Sequence, residues 1–311
     1  MSYIPVRIDV TSALPGDITE GRTIEIAAWV FPATGAPPPV PSVVALLNGG
    51  SYDKRYFHFE VLGRSGYSTA EALAGRGHVV VLLDHLGVSE SSRIPTQRKA
   101  TRHVAALANH AAVTEIFARL ATGSLDPSIQ PMPRMLKVGG GHSMGGFQTI
   151  TQQAEHATYE RVLILGYTAI GVHLTINGEQ VPAERPYDEA MGDYWRLDHA
   201  AIAESFHWGD VPSDVLEVDE ALSVEVPQML SNQSITIGIV TEDAGKIDVP
   251  VYICLGERDV SPRPYDEPGC YKRSRDVTLH ILPRSGHCQS FASTRLEMIE
   301  RIDGWIRSIP A

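Results

Sequence analysis

The sequence predicts an α/β fold, with a mostly parallel central sheet flanked by helices, on three observations. Short unbroken apolar runs recur at Val43 to Leu47, Val79 to Leu83, Leu136 to Val138, Val162 to Leu165 and Val251 to Leu255, as strands read when both faces are buried. Helix-period segments separate them, clearest where Val104, Leu107, Ala108 and Ala111 continue into Val113, Ile116, Phe117 and Leu120. Glycine-bearing turns follow several of the runs, at the carboxyl ends where parallel sheets bind their ligands.

Taken in order, Pro5 to Thr11 and Thr23 to Phe31 alternate as strands, and Pro15-Gly16-Asp17 marks a turn between them, so an antiparallel hairpin opens the fold. The Pro-rich connector Ala36 to Pro41 leads into the parallel part, where strands and helices alternate as far as Leu165. The stretch from Gly171 to Ile247 then breaks the rhythm, being too long for a simple crossover. It is expected to form a helical cap, which divides the chain into a core of residues 1–170 and 248–311 and a cap of 171–247. A strand at Val277 to Leu282 and a last helix carrying Leu296, Ile299, Ile302 and Ile306 complete the core.

A chain of 311 residues with 43% hydrophobic content can bury one large core. Its formal net charge of -11 repels nucleic-acid phosphates and anionic membrane surfaces, so neither is an expected partner. No basic and then apolar leader opens the sequence, and no run approaches a transmembrane span, so the expected location is cytoplasmic. Cys254, Cys270 and Cys288 have the spacing of neither a disulfide framework nor a zinc site and are read as reduced thiols. His173, His199 and His207 show no metal-ligand spacing, and no metal or cofactor is expected.

The chemistry begins after the Met135 to Val138 strand, where Gly139-Gly140-Gly141-His142-Ser143-Met144-Gly145-Gly146 precedes a helical pattern starting near Phe147. This is G-x-S-x-G in a strand–turn–helix setting, a turn so sharp that only glycines two before and two after the serine leave room for the neighbouring elements. The helix that starts there directs its free N–H groups toward any oxyanion, with Met144 N–H as the first donor. His142 is read as the variable, locally packed position of the turn. A serine hydroxyl is a poor nucleophile near neutral pH, so it needs a histidine base and a carboxylate to orient that base. Both follow in chain order: Gly256-Glu257-Arg258-Asp259 ends one strand and Pro283-Arg284-Ser285-Gly286-His287 ends the next.

In these motifs the sequence resembles the α/β-hydrolase superfamily, over nearly the whole chain and least specifically in the cap. The resemblance implies Ser143 as nucleophile, His287 as base and Asp259 as acid, with Glu257 an alternative acid read as a solvated turn residue. Asn48-Gly49-Gly50-Ser51-Tyr52 resembles the family's oxyanion loop, with Asn48 where many relatives have histidine. It implies a second backbone donor at Gly50, with Gly49 the alternative. Asp84-His85-Leu86-Gly87-Val88-Ser89-Glu90-Ser91 is similar to the family's D-x-x-G-x-G-x-S loop, with serine for the middle glycine, and is expected to support the nucleophile turn.

Aromatic residues give the candidate pocket: Tyr194, Trp195, Phe206 and Trp208 in the cap, with Tyr52 after the oxyanion loop; Tyr187 belongs to the same group, and a small core of the cap's own is an equal reading for them. Tyr56 and His58 are read as packing. The expected activity is serine-dependent hydrolysis of a carboxylic ester or lactone of a medium to bulky apolar small molecule. Carbon–carbon hydrolysis, thioester hydrolysis and acyl transfer are alternatives on the same triad, because one fold hosts many chemistries. A non-catalytic ligand-binding protein is the alternative of another class. Exposed apolar cap residues are compatible with a homo-oligomer.

Overall fold

The computed structural model describes residues 3–308. Its central sheet contains β1 (Ile4–Asp9), β2 (Glu25–Phe31), β3 (Ser42–Leu47), β4 (Val79–Leu83), β5 (Leu136–His142), β6 (Arg161–Leu165), β7 (Val251–Gly256) and β8 (Val277–Leu282). Their spatial order is β1-β2-β4-β3-β5-β6-β7-β8. The first two strands pair antiparallel, Ile4 with Val30 through Asp9 with Glu25, and β2 is antiparallel to β4. All other pairs are parallel. Register then fixes the functional edge: Leu47 pairs with Gly141, His142 with Leu165 and Gly256 with Leu282, so β3, β5, β6, β7 and β8 all end on one rim.

Every β3 residue is buried, because both faces are covered. Val43, Ala45 and Leu47 pack with α2 (Arg102–Thr122) and α3 (Met144–His156), while Val44 and Leu46 pack with α1 (Thr69–Ala74) and the final helix Arg295–Ser308. Helix α2 begins where the Thr101 hydroxyl accepts from Val104 N–H and ends at Gly123, whose φ of 73° is the left-handed conformation glycine takes easily. The expected stripe of the last helix shifts, because Leu296 is 48% exposed and Met298 and Trp305 are buried beside Ile299, Ile302 and Ile306. Leu296 sits in the first turn, outside the face that lies on the sheet.

Two other expectations change. Strand β5 continues through the three glycines to His142 instead of stopping at Val138. A side chain there would find no room: a Cβ on Gly139 would lie 2.2 Å from the Tyr159 ring. The insertion between β6 and β7 is also not purely helical. It contains a hairpin, His173–Ile176 with Glu179–Pro182, a short ladder of Tyr194–Trp195 with Val226–Pro227, and the helices Ser213–Ala221 and Gln228–Ser234. The hairpin turns at Asn177 and Gly178, both at positive φ (52° and 79°), a pair of residues suited to that turn. No helix among the described residues is long and apolar enough to cross a membrane.

Candidate active site

The serine turn is as tight as its glycines require. Ser143 has φ 54° and ψ −118°, and its N–H is held by Leu165 O at 2.8 Å. A Cβ on Gly141 would meet Gly145 carbon at 2.4 Å, and one on Gly145 would lie 2.0 Å from Leu47 O, so strand β3, strand β5 and helix α3 meet backbone to backbone. Strain of this kind persists only where the surroundings over-determine it, and it concentrates at functional sites. Ser143 is half-buried and opens into a cavity of about 170 Å³ that His287 also lines.

His287 is 3% exposed, and its Nδ1 lies 2.7 Å from Asp259 Oδ1. Asp259 uses both oxygens fully: Oδ1 also accepts Val260 N–H at 2.7 Å, while Oδ2 accepts Gly256 N–H at 2.7 Å and Gln289 Nε2 at 3.3 Å. An acceptor-only carboxylate at Nδ1 keeps the ring proton there and leaves Nε2 bare to take a proton. Glu257, by contrast, is exposed and caps Arg284 N–H at 2.8 Å, a turn contact away from the histidine.

Gly50 and Ser51 line the cavity beside Met144. Met144 is the first residue of α3, so its N–H has no partner one turn back in the helix. A Cβ on Gly49 would lie 2.9 Å from His142 Nδ1, so the loop after β3 packs closely on the serine turn. Asn48 replaces the family's histidine by turning its amide onto the Tyr52 and Gly49 carbonyls, and His85 Nε2–H donates to Asn48 O at 2.7 Å. Burial lowers the His85 pKa to about 4, which keeps it neutral. The Asp84 loop therefore braces the loop after β3, and its Leu86 and Val88 belong to the same buried cluster as Met144 and Phe147 of the serine helix. Asp84 strengthens the same brace by accepting Lys54 N–H at 2.9 Å and pairing with Lys54 Nζ at 2.6 Å, both residues almost fully buried.

His142 is packed as expected, stacked on Tyr56 at 4.4 Å and donating from Nε2 to His287 O at 2.8 Å. His58 packs against Phe31 and Trp29 and bonds Ser68 Oγ at 2.8 Å.

Of the aromatic candidates, Trp195 and Phe206 line the cavity and three others do not. Tyr52 is 1% exposed, with its hydroxyl donating to Asp219 Oδ1 at 2.6 Å. Tyr194 lies under the Arg93 guanidinium at 3.8 Å, and Trp208 lies by Arg258 at 5.1 Å. Which of these rings reach the cavity depends on the packing of the insertion, information that a count of aromatics does not contain. Tyr187, likewise, bonds Asp193 and lies against Arg98. Most of the remaining wall is aliphatic, with Val172, Leu174, Leu197, Ile202 and Ile235 joined by Tyr167, and Arg185 and Ser234 also line it.

Asp219, which the sequence did not single out, joins the insertion to the loop after β3. Its Oδ2 meets His207 Nε2 at 2.8 Å and His199 Nδ1 at 3.4 Å, opposite the Tyr52 hydroxyl on Oδ1. Burial pushes this carboxyl up, but hydrogen bonds and charge from His199 and His207 together hold it well below the usual carboxylate range. Further ties run from Ser51, whose hydroxyl accepts Leu197 N–H and whose carbonyl accepts Val224 N–H, both at 2.9 Å. The histidine loop is tied in turn, with His287 N–H on Ser205 O at 3.0 Å and Cys288 N–H on Phe206 O at 2.8 Å. Cys288 is buried against the Tyr52 hydroxyl, and burial raises its thiol pKa, the opposite of what a nucleophile needs. All three cysteines are free thiols.

The sheet order, the serine turn and the acid and histidine loops define an α/β hydrolase. Residues 44–297 match the alpha/beta hydrolase family, and the chain belongs to it. Among solved structures, a malate-bound thermophilic esterase from Thermogutta terrifontis superposes with a TM-score of 0.66 at 15% identity, covering 99% of this chain and 98% of that one. An esterase from Exiguobacterium antarcticum gives 0.64 at 17% identity over 94% and 98% of the two chains. An N-acyl homoserine lactonase complexed with N-hexanoyl homoserine gives 0.62 at 13% identity over 100% and 99%. At these identities the likeness is one of fold. Comparison of the sequence with curated proteins gives no match.

Proposed function

We propose that the chain is a serine hydrolase of carboxylic esters or lactones, acting through an acyl-enzyme. One observation carries this reading: Ser143, at positive φ, shares an apolar cavity with a histidine whose far nitrogen is held 2.7 Å from a buried carboxylate. In the proposed cycle His287 Nε2 takes the Ser143 proton as Oγ attacks the carbonyl carbon. The Met144 and Gly50 N–H groups stabilise the oxyanion that forms. His287 then gives the proton to the leaving alkoxide, and a water activated by the same nitrogen releases the acid. A lactone opens by the same steps with its alcohol still tethered. The esterases and the lactonase among the structural neighbours support this reading. The aliphatic and aromatic wall favours a medium to bulky apolar body on the substrate.

The test is hydrolysis of short and long para-nitrophenyl esters and one aromatic lactone by the wild type and Ser143→Ala. Turnover that disappears in the variant is the expected result. A folded wild type that turns over none of them, and is not labelled by a fluorophosphonate, overturns the proposal in favour of a ligand-binding role.

A further inference from the structure

We propose that the substrate carries a carboxylate, which Arg185 binds on the wall of the cavity into which Ser143 opens. This rests on the hydrolase reading above and names its substrate class: an ester with a free carboxylate on its acyl or its alcohol part.

Arg185 is the only Lys, Arg, Asp or Glu among the residues that line the cavity. No carboxylate pairs with it among the described residues. Its Nε and Nη2 both donate to Asn232 Oδ1, at 2.9 and 2.7 Å, and its Cζ lies 3.6 Å from the Trp195 ring centre. A neutral amide and an aromatic face orient a guanidinium but leave its charge uncompensated. The partly buried Arg55 and Arg102 in the same chain each meet a carboxylate, Asp53 and Asp243. Burial lowers the Arg185 pKa, and no neighbouring charge opposes the effect.

The surroundings are built to hold that geometry. Asn232 is fixed by donating Nδ2 to Pro186 O at 2.9 Å and to Gln228 Oε1 at 3.3 Å, and Trp195 is fixed by its pairing with Val226. Trp195 Nε1 is itself buried without an acceptor, a second unused donor on the residue that stacks with the guanidinium. An arginine that only fastened the insertion would be expected to end on a carboxylate or a row of carbonyls. Here the pre-organised cation stands on a wall that carries no other Lys, Arg, Asp or Glu, in a chain whose net charge is -11. Aliphatic side chains lie along the same wall, so the substrate is an apolar body with an ester carbonyl for Ser143 and an anion for Arg185.

The experiment uses two matched pairs of esters. One pair is the para-nitrophenyl monoester of adipate and its neutral methyl ester; the other is para-acetoxybenzoate and its methyl ester. The wild type is expected to favour the charged member of at least one pair by roughly 10- to 100-fold in kcat/KM, the discrimination a partly desolvated charge-assisted hydrogen bond supplies. Arg185→Gln is expected to bring that ratio close to one, and Arg185→Lys to restore part of it, since lysine keeps the charge without the fork. Ratios within one variant cancel a change in the amount of folded protein. Binding is read separately, by calorimetry of monomethyl adipate with Ser143→Ala and with Ser143→Ala/Arg185→Gln, where a loss of roughly tenfold or more is expected. Arg185-dependent binding without turnover of any ester supports the anion site and overturns the hydrolase reading. Equal treatment of charged and neutral esters, or a preference that Arg185→Gln retains, overturns the anion site.

Discussion

Replacing Asp259 by asparagine is the sharpest perturbation of the proposed machinery, because no position on that carboxylate is free to become a donor. If the new amide nitrogen takes the place of Oδ2, it faces Gly256 N–H at 2.7 Å and Gln289 Nε2 at 3.3 Å, donor against donor. If it takes the place of Oδ1, it faces Val260 N–H at 2.7 Å and forces His287 to move its proton from Nδ1 to Nε2. The first arrangement leaves a buried N–H unsatisfied and costs about 1–3 kcal/mol of stability. The second relieves the histidine clash but places a proton on the nitrogen that must act as base. The second opposes one donor, Val260 N–H, where the first opposes two, and is the expected arrangement, so the variant folds with a melting temperature lower by about 2–6 °C, and kcat for an activated ester falls by about 10⁴-fold, as for a triad whose orienting acid becomes an amide. Stopped-flow release of nitrophenolate and a thermal melt on the same sample check both numbers. A kcat loss below tenfold would refute the assignment and transfer the orienting role to Glu257, for which Glu257→Gln is the follow-up.

Asp219→Ala leaves the Tyr52 hydroxyl and His207 Nε2 without their buried partner, and urea unfolding is expected to show a loss of about 3–5 kcal/mol; a loss under 1 kcal/mol would mean that the insertion is held mainly by its backbone ties. Gly145→Ala brings a Cβ within 2.0 Å of Leu47 O and is expected to cost more than about 3 kcal/mol while displacing the Gly50 loop, so an active variant with an unchanged melting temperature would contradict the close contact. Glu267 is buried and accepts from Ser261 Oγ at 2.6 Å, Ala169 N–H at 2.9 Å and Thr168 Oγ1, and burial raises its pKa above the usual 4.5, outweighing these hydrogen bonds and the charge of Arg263. The folded state therefore binds this proton more tightly than the unfolded chain, and the stability it contributes is full below the unfolded pKa and lost as pH rises through the folded one. Glu267→Gln, which does not titrate, is expected to gain on the wild type as pH rises above about 4.5; melts across that range showing a constant difference, or the opposite trend, rule the effect out.

Much of the fold was legible in the sequence because the responsible interactions are local or periodic. Unbroken apolar runs mark strands covered on both faces, and β3, β4 and β6 end at Leu47, Leu83 and Leu165 as their sequences predict. The serine turn was legible because glycines at 141 and 145 answer a steric demand that nearly any other residue would violate. Where the reading went astray, the deciding atoms were distant in the chain. Strand β5 runs on through glycines because Tyr159 and Leu163 occupy the space their side chains would fill. The Asn177-Gly178 turn was a readable hairpin signal within a segment expected to be helical.

The sequence by itself determined the order of strands and helices, the position of the sharp turn, and the identity of an acid and a histidine following it at two later strand ends. Those features depend on hydrophobic period and on steric rules that act within a few residues. Only the tertiary structure decided which polar partner each aromatic residue would take. Tyr52 turned away to Asp219, 167 positions distant, while Trp195 and Arg185 came to the cavity wall, because a buried polar group takes its partner from whatever the packed insertion brings within reach.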